Sequence, residues 1–148
     1  SIVTEMDGLL IDSITKKIHA VREFIVNLGL DSRISALSIR AEDLARCSAA
    51  SFDLVFVRAV AKLSILIEYA SPLLKLNGLL VSSKAHIEAD ELVHAESVAQ
   101  LCGMKLVSRE TYDLPHSSGH RELICFMKTE EATVSLPRKP GMAVHRPL

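Results

Sequence analysis

Phe52-Asp53-Leu54-Val55-Phe56-Val57-Arg58 is the stretch on which the fold turns. It is apolar except for Asp53 until an arginine closes it. A short apolar run of this kind reads as a buried strand of a parallel sheet. An arginine at the carboxyl end of such a strand is desolvated unless an anion or a carbonyl partners it.

Upstream, Gly8-Leu9-Leu10-Ile11 is a second apolar run, ending at Asp12. Asp12 or Ser13 can cap the next helix. Ile14, Ile18, Val21, Phe24, Ile25 and Leu28 fall at helical spacing, and Gly29 is placed to end that helix. A weaker strand is expected over residues 34–39, where Ser and Ala interrupt the apolar run, and a short helix over 41–47. Downstream, residues 63–74 read as a helix, with Pro72 marking a kink or an early end. Asn77-Gly78 is a turn pair before a strand at 79–82. A helix over 88–102 is closed by Gly103. Strands at 104–114 and 121–127 flank the polar loop Pro115-His116-Ser117-Ser118-Gly119, which argues for an antiparallel pair. From Thr129 the pattern stops, and Leu136-Pro137-Arg138-Lys139-Pro140-Gly141 is too proline-rich for a helix. Strands alternating with helices and ending in a hairpin predict an α/β fold with right-handed crossovers.

The chain of 148 residues fits one domain, and its 49% hydrophobic content supports a core. A net charge of −1 excludes coating of nucleic acid by bulk charge, so any RNA contact must be local. Cys47, Cys102 and Cys125 are few and scattered, which reads as reduced thiols of a cytoplasmic protein. No apolar run reaches the roughly 20 residues of a membrane span. Ser1 is not an initiator methionine, which suggests a fragment or a processed chain.

Ligands of open α/β sheets bind beyond the carboxyl ends of the strands. That rule selects Asp12, Arg40 to Glu42, Arg58 and Lys84. Asp12 can accept the hydroxyls of a ribose or cap the adjoining helix, and spacing leaves both open. Arg40-Ala41-Glu42 can border an adenine or form a capping box or surface ion pair. Arg58 and Lys84, at neighbouring strand ends, can line a positive pocket mouth or pair with Asp12 or Glu42. Lys16 and Lys17 are solvated charges or phosphate contacts. His116 and His120 are four apart in a non-helical segment, so no metal site is expected. Arg138, Lys139 and Arg146 make the tail basic, suited to phosphate contact or to a solvated end.

Several segments in order resemble the RsmG family, also called GidB. Leu10-Ile11-Asp12-Ser13-Ile14-Thr15-Lys16-Lys17 is similar to its "L-x-D-S-x-x-K-K" segment, and Asn27-Leu28-Gly29-Leu30 to its "E-L-G-L". Arg40-Ala41-Glu42 resembles "R-A-E". Phe52 to Ala61 resembles "F-D-x-V-x-x-R-A-x-A", the most specific match. Leu73 to Gly78 resembles "L-L-K-x-G-G", and the stretch from Pro137-Arg138-Lys139-Pro140-Gly141 through Arg146-Pro147-Leu148 is similar to the family's "P-R-K-x-G-x-P-x-K-x-P-L" tail.

The resemblance implies a Rossmann-like S-adenosylmethionine-dependent methyltransferase fold, mostly parallel with a C-terminal antiparallel hairpin. It implies methylation of guanine N7 in 16S ribosomal RNA, on RNA or on the small ribosomal subunit, by a cytoplasmic monomer without a metal. By position, Asp12 and Ser13 would lie near the ribose and methionine, Ala41 and Glu42 near the adenine, and Arg58 in the pocket as the catalytic residue. Lys84, Arg121, Arg138 and Lys139 would hold RNA. The family's glycine-rich loop and its strand are absent. Residues 1–128 are therefore expected to be a partial methyltransferase domain and 129–148 a basic tail. Ala85 follows Lys84 where the family has Gly, and Glu122 stands where it has His. The alternatives are an inactive remnant that binds ribosome or RNA, and a methyltransferase of a smaller substrate.

Overall fold

The computed structural model describes residues 6–58, 61–115 and 119–148. Strand β1 (Gly8–Asp12) leads into helix α1 (Thr15–Asn27) and strand β2 (Ile34–Ser38). Then come α2 (Ala41–Cys47), β3 (Phe52–Arg58), α3 (Leu63–Ala70) and β4 (Leu74–Lys84). Helix α4 (Ala89–Leu101), strands β5 (Met104–Asp113) and β6 (His120–Lys128) and a short α5 (Met142–His145) complete the chain.

The strands form two sheets. One is the parallel pair β1-β2; the other has the order β3-β4-β6-β5. β3 runs parallel to β4, and β6 runs antiparallel to both β4 and β5. The α/β fold and the C-terminal antiparallel hairpin are thus as the sequence predicts. Among the described residues, no ladder joins β1 or β2 to β3.

Helix α3 stops at Ala70, two residues before Pro72, which has no N–H to continue the ladder. The cation of Lys128 closes that end by donating to the Ser71 carbonyl at 2.8 Å, a favourable charge at a helix C-terminus. The turn expected at Asn77-Gly78 is instead an irregularity inside β4. Phe52 pairs with Leu74 but Leu54 with Leu79, so β4 bulges there, and Asn77 adopts φ +66°. A side chain at Gly78 would meet the Lys75 carbonyl oxygen at 2.9 Å, so the backbone path needs glycine.

The main core packs α3 and α4 on β4 and β6, through Leu63, Ile67, Val98, Leu80, Ile124 and Phe126. Ile18 and Ile25, from the apolar stripe of α1, close on Ala36 of β2. A third cluster ties the two sheets together: Leu44, Ala45 and Leu73 pack with Leu9, Ile11, Phe52 and Val55.

β3 departs from the expected buried strand. Leu54 is 41% and Phe56 60% exposed. Among the described residues β3 pairs only through β4, and its other edge faces β1 across a cleft. Arg58 is accordingly exposed rather than desolvated.

Candidate functional site

The cleft between β1 and β3 has a volume of about 740 Å³. That lies in the range of small-molecule sites. The strand-end rule brings its residues together here. Asp12 and Ser13 lie at the end of β1, Arg40, Ala41 and Glu42 at the entry to α2, and Arg58 at the end of β3, and all line this one hollow. Lys17 and Tyr69 join them.

Asp12 is about one-third exposed, and it is not the N-cap of α1, a position that Ile14 holds without a side-chain cap bond. Its Oδ1 accepts the backbone N–H of Ile14 at 2.8 Å, which fixes the entry to α1. Its Oδ2 faces Lys17 Nζ at 3.3 Å. The Ile14 N–H bond is the largest influence on its acidity, and with Lys17 it holds the carboxyl below its ordinary value against the opposing effect of desolvation. A carboxylate has about four acceptor positions, so Asp12 keeps capacity for a ligand's hydroxyls. Arg58 has no hydrogen bond or ion pair from the described residues. An anionic carboxylate, a free guanidinium and apolar walls from Leu10, Ile39 and Phe56 suit a nucleoside carrying a charged tail.

Glu42 is the exception. It is buried, and its Oε1 accepts the backbone N–H of Gly141 from the C-terminal segment at 2.9 Å. α2 has no side-chain cap, so the capping box is not formed, and burial takes Glu42 away from a surface ion pair. Tyr69, which lines the cleft beside Glu42, titrates above its ordinary value. Burial is the main cause, and the charges of Glu42 and Glu68 and a hydrogen bond to Glu42 add to it. No local sequence signal marked Tyr69 or Glu68, since both read as ordinary helix positions.

The expected RNA contacts lie elsewhere. Lys84 does not meet Arg58 at a pocket mouth; it is 12% exposed and paired with Glu91. Arg138 forks onto buried Glu68, Nε to Oε1 at 2.7 Å and Nη2 to Oε2 at 2.5 Å. Both cations are spent inside the fold. Arg121 donates to the His120 carbonyl, and Lys139 is exposed. Glu122 is buried and held by Arg109 at 2.8 Å. His116 lies outside the described residues, and His120 pairs with Asp113 at 3.0 Å. Among the described residues, no three His, Cys, Asp or Glu side chains are grouped to hold a metal ion.

The family model for GidB, rRNA small subunit methyltransferase G, matches residues 2–123. The chain belongs to this family. It is 36% identical to the ribosomal RNA small subunit methyltransferase G of Lactococcus lactis subsp. cremoris, over 99% of this chain and 62% of that one. It is 33% identical to the protein of the same name from Geobacillus kaustophilus, over 94% of this chain and 59% of that one. The chain thus spans about three-fifths of the length of these curated GidB relatives.

Solved structures share the fold. A putative rRNA-methylase from Clostridium thermocellum superposes with a TM-score of 0.61 at 12% identity, covering 85% of this chain and 74% of that one. M. jannaschii TYW2, solved in complex with AdoMet, gives 0.61 at 17% identity, covering 83% and 57%. No helix among the described residues is long and apolar enough to cross a membrane.

Proposed function

We propose that this GidB chain binds S-adenosylmethionine in the β1-β3 cleft and takes part in methyl transfer to guanine N7 of 16S ribosomal RNA. One observation carries the reading: the residues at the carboxyl ends of β1, β2 and β3 converge on one nucleoside-sized hollow in a chain of this family. The bound cofactor would supply an electrophilic methyl group. Asp12 would accept the ribose hydroxyls, with Ser13 beside it, and Ala41 would border the adenine. Arg58 would face the cofactor's carboxylate or the RNA.

Guanine N7 carries a lone pair and no proton. The chain therefore has only to position the two reactants and stabilise charge, without a general base. This accords with a cleft whose two carboxylates are already engaged, Asp12 by Ile14 and Lys17 and Glu42 by Gly141. A splayed or single-stranded guanine is the form that such a site can reach. Arg121 and Lys139 remain candidates for phosphate contact. Residues 1–128 would form the methyltransferase part and 129–148 the tail of a cytoplasmic monomer acting on the small subunit or its RNA.

A second reading has an observation of its own. Among the described residues, β1 and β3 face each other across the cleft without a shared ladder, which suits a domain that binds RNA or ribosome without catalysis. Calorimetry with S-adenosylmethionine, and then methyl transfer to 30S particles, separates the two. Binding and transfer support the enzyme. Failure to bind the cofactor ends that reading, and RNA binding alone supports the second.

A further inference from the structure

The C-terminal segment has no sequence periodicity, yet it is held along its length. Thr129 and Glu130 donate their backbone N–H groups to the Gly103 carbonyl, and Thr133 to that of Leu101. Leu136 and Leu148 pack against the main core, and Ala143 is 1% exposed. Three polar ties then fasten residues 138–146 across α2 and α3. Arg138 forks onto Glu68 of α3 and also donates Nη1 to the Arg146 carbonyl at 2.8 Å. Arg46 of α2 donates Nη2 to the Arg138 carbonyl at 3.0 Å. Gly141 donates its N–H to Glu42 of α2.

These ties end on the wall of the candidate site. Glu42 lines the cleft, and so does Tyr69, the neighbour of Glu68. Helix α2 links β2 to β3 and α3 links β3 to β4, and the segment bridges the two helices. A two-pronged arginine–carboxylate pair fixes direction as well as distance, which a flexible surface cation does not. Glu68 is 5% and Arg138 19% exposed at the side chain, so the pair is shielded from solvent and from competing phosphate.

We infer that Arg138 and Glu68 are positioning residues: through the strap of residues 138–146 they hold Glu42 and Tyr69 in place as one wall of the β1-β3 cleft. Arg138 then acts on the cofactor side of the molecule and not as an RNA contact. The inference deepens the reading of the cleft as a S-adenosylmethionine site and rests on it for its affinity readout.

The test uses the full chain carrying Arg138→Gln, the double variant Glu68→Gln/Arg138→Gln and, as a surface control, Lys105→Gln on exposed Lys105. Calorimetry with S-adenosylmethionine should show affinity falling on the order of tenfold in both Arg138 variants and unchanged in Lys105→Gln. Binding of a 16S-derived RNA hairpin, and its salt dependence, should be unchanged by Arg138→Gln. Wild-type cofactor affinity in the Arg138 variants overturns the inference. So does a selective loss of RNA affinity with a salt slope reduced by about one.

The double variant removes both charges together, which guards against misfolding from an unpaired buried Glu68. A separate readout does not need the cofactor. The chain has two tyrosines and no tryptophan, so in a Tyr112→Phe background the intrinsic fluorescence comes from Tyr69. Acrylamide should quench it more strongly once the Glu68–Arg138 pair is removed, at temperatures well below unfolding. Unchanged quenching in a folded double variant overturns the strap. If the wild-type chain binds no cofactor, the reading of the cleft fails, while the quenching still decides the strap.

Discussion

Lys84 at the end of β4 and Glu91 in the first turn of α4 form an ion pair, and the same Glu91 Oε1 accepts the backbone N–H of Leu63 at 2.9 Å. One carboxylate thus ties the end of a strand to the starts of two helices. Burial opposes its charge, but the Lys84 hydrogen bond, the Leu63 N–H and the charges of Lys84 and Lys62 together hold it below its ordinary value. Glu91→Gln should cost about 2 kcal/mol of stability, measured by urea unfolding at neutral pH. RNA affinity should stay unchanged. A stable Glu91→Gln chain that binds RNA more tightly would return Lys84 to the RNA surface.

Glu122 makes the stronger acid-sensitive tie. Its buried carboxylate takes Arg109 at 2.8 Å, the Ile87 N–H at 3.1 Å and His86 at 3.2 Å. Desolvation is the largest single influence and raises its pKa, yet the Arg109 and Ile87 bonds and the charges of Arg109 and His86 outweigh it, so the net shift is downward. A carboxyl lowered by folding contributes stability that is present above its unfolded pKa and lost as pH falls through its folded pKa. Wild-type stability should therefore decline from about pH 5 downward. Glu122→Gln should be about 3 kcal/mol less stable at pH 7 and show a flatter acid limb. Urea unfolding across that pH range reads both, and an unaltered acid limb would place the sensitivity elsewhere.

The legibility of this fold tracks the range of its interactions. β1, α1, α4 and the β5-β6 hairpin show in the sequence because apolar spacing and bounding glycines are local signals. The convergence of Asp12, Ala41 and Arg58 is also legible, since strand ends of an α/β sheet share one edge. Partnerships are not. Arg138 finds Glu68 seventy residues away, Glu42 finds Gly141 at a separation of ninety-nine, and nothing in either neighbourhood signals the other. The bulge at Asn77-Gly78 escapes a sequence reading because a turn pair inside a strand and one between elements look alike until the pairing register is known.

The three cysteines should separate by environment. Cys102 is fully buried, and burial, helped by the Glu68 charge, pushes its thiol up to about 12. The thiolate is the reactive species, so Cys102 should stay unlabelled in the native chain at pH 8. Exposed Cys47 should react first with an alkylating reagent and Cys125, half-buried, more slowly. Mass spectrometry with and without urea reads the order; native labelling at Cys102 would contradict the burial.

Asp12→Asn separates the proposed ligand role of Asp12 from its structural one. The amide oxygen can still accept the Ile14 N–H, so the entry to α1 survives and stability should change by less than about 1 kcal/mol. The amide loses the charge that strengthens acceptance of two hydroxyls. S-adenosylmethionine affinity should fall at least about tenfold by calorimetry. Equal affinity in the folded variant would remove Asp12 from the site.

Arg58→Ala tests the cleft where the fold has least at stake. Arg58 is exposed on the open edge of β3, and no described residue hydrogen-bonds or pairs with its side chain. Removing it should therefore change stability by no more than about 0.5 kcal/mol. A cation that stabilises charge during methyl transfer or holds the cofactor's carboxylate is worth far more, so transfer to 30S particles should drop by about a hundredfold or more. The comparison with Asp12→Asn assigns the step. If Arg58→Ala binds S-adenosylmethionine normally but fails in transfer, the guanidinium serves the RNA or the reacting groups. If cofactor affinity falls in parallel, it serves the cofactor's anionic end. Wild-type transfer by a folded Arg58→Ala chain would take this arginine out of the mechanism.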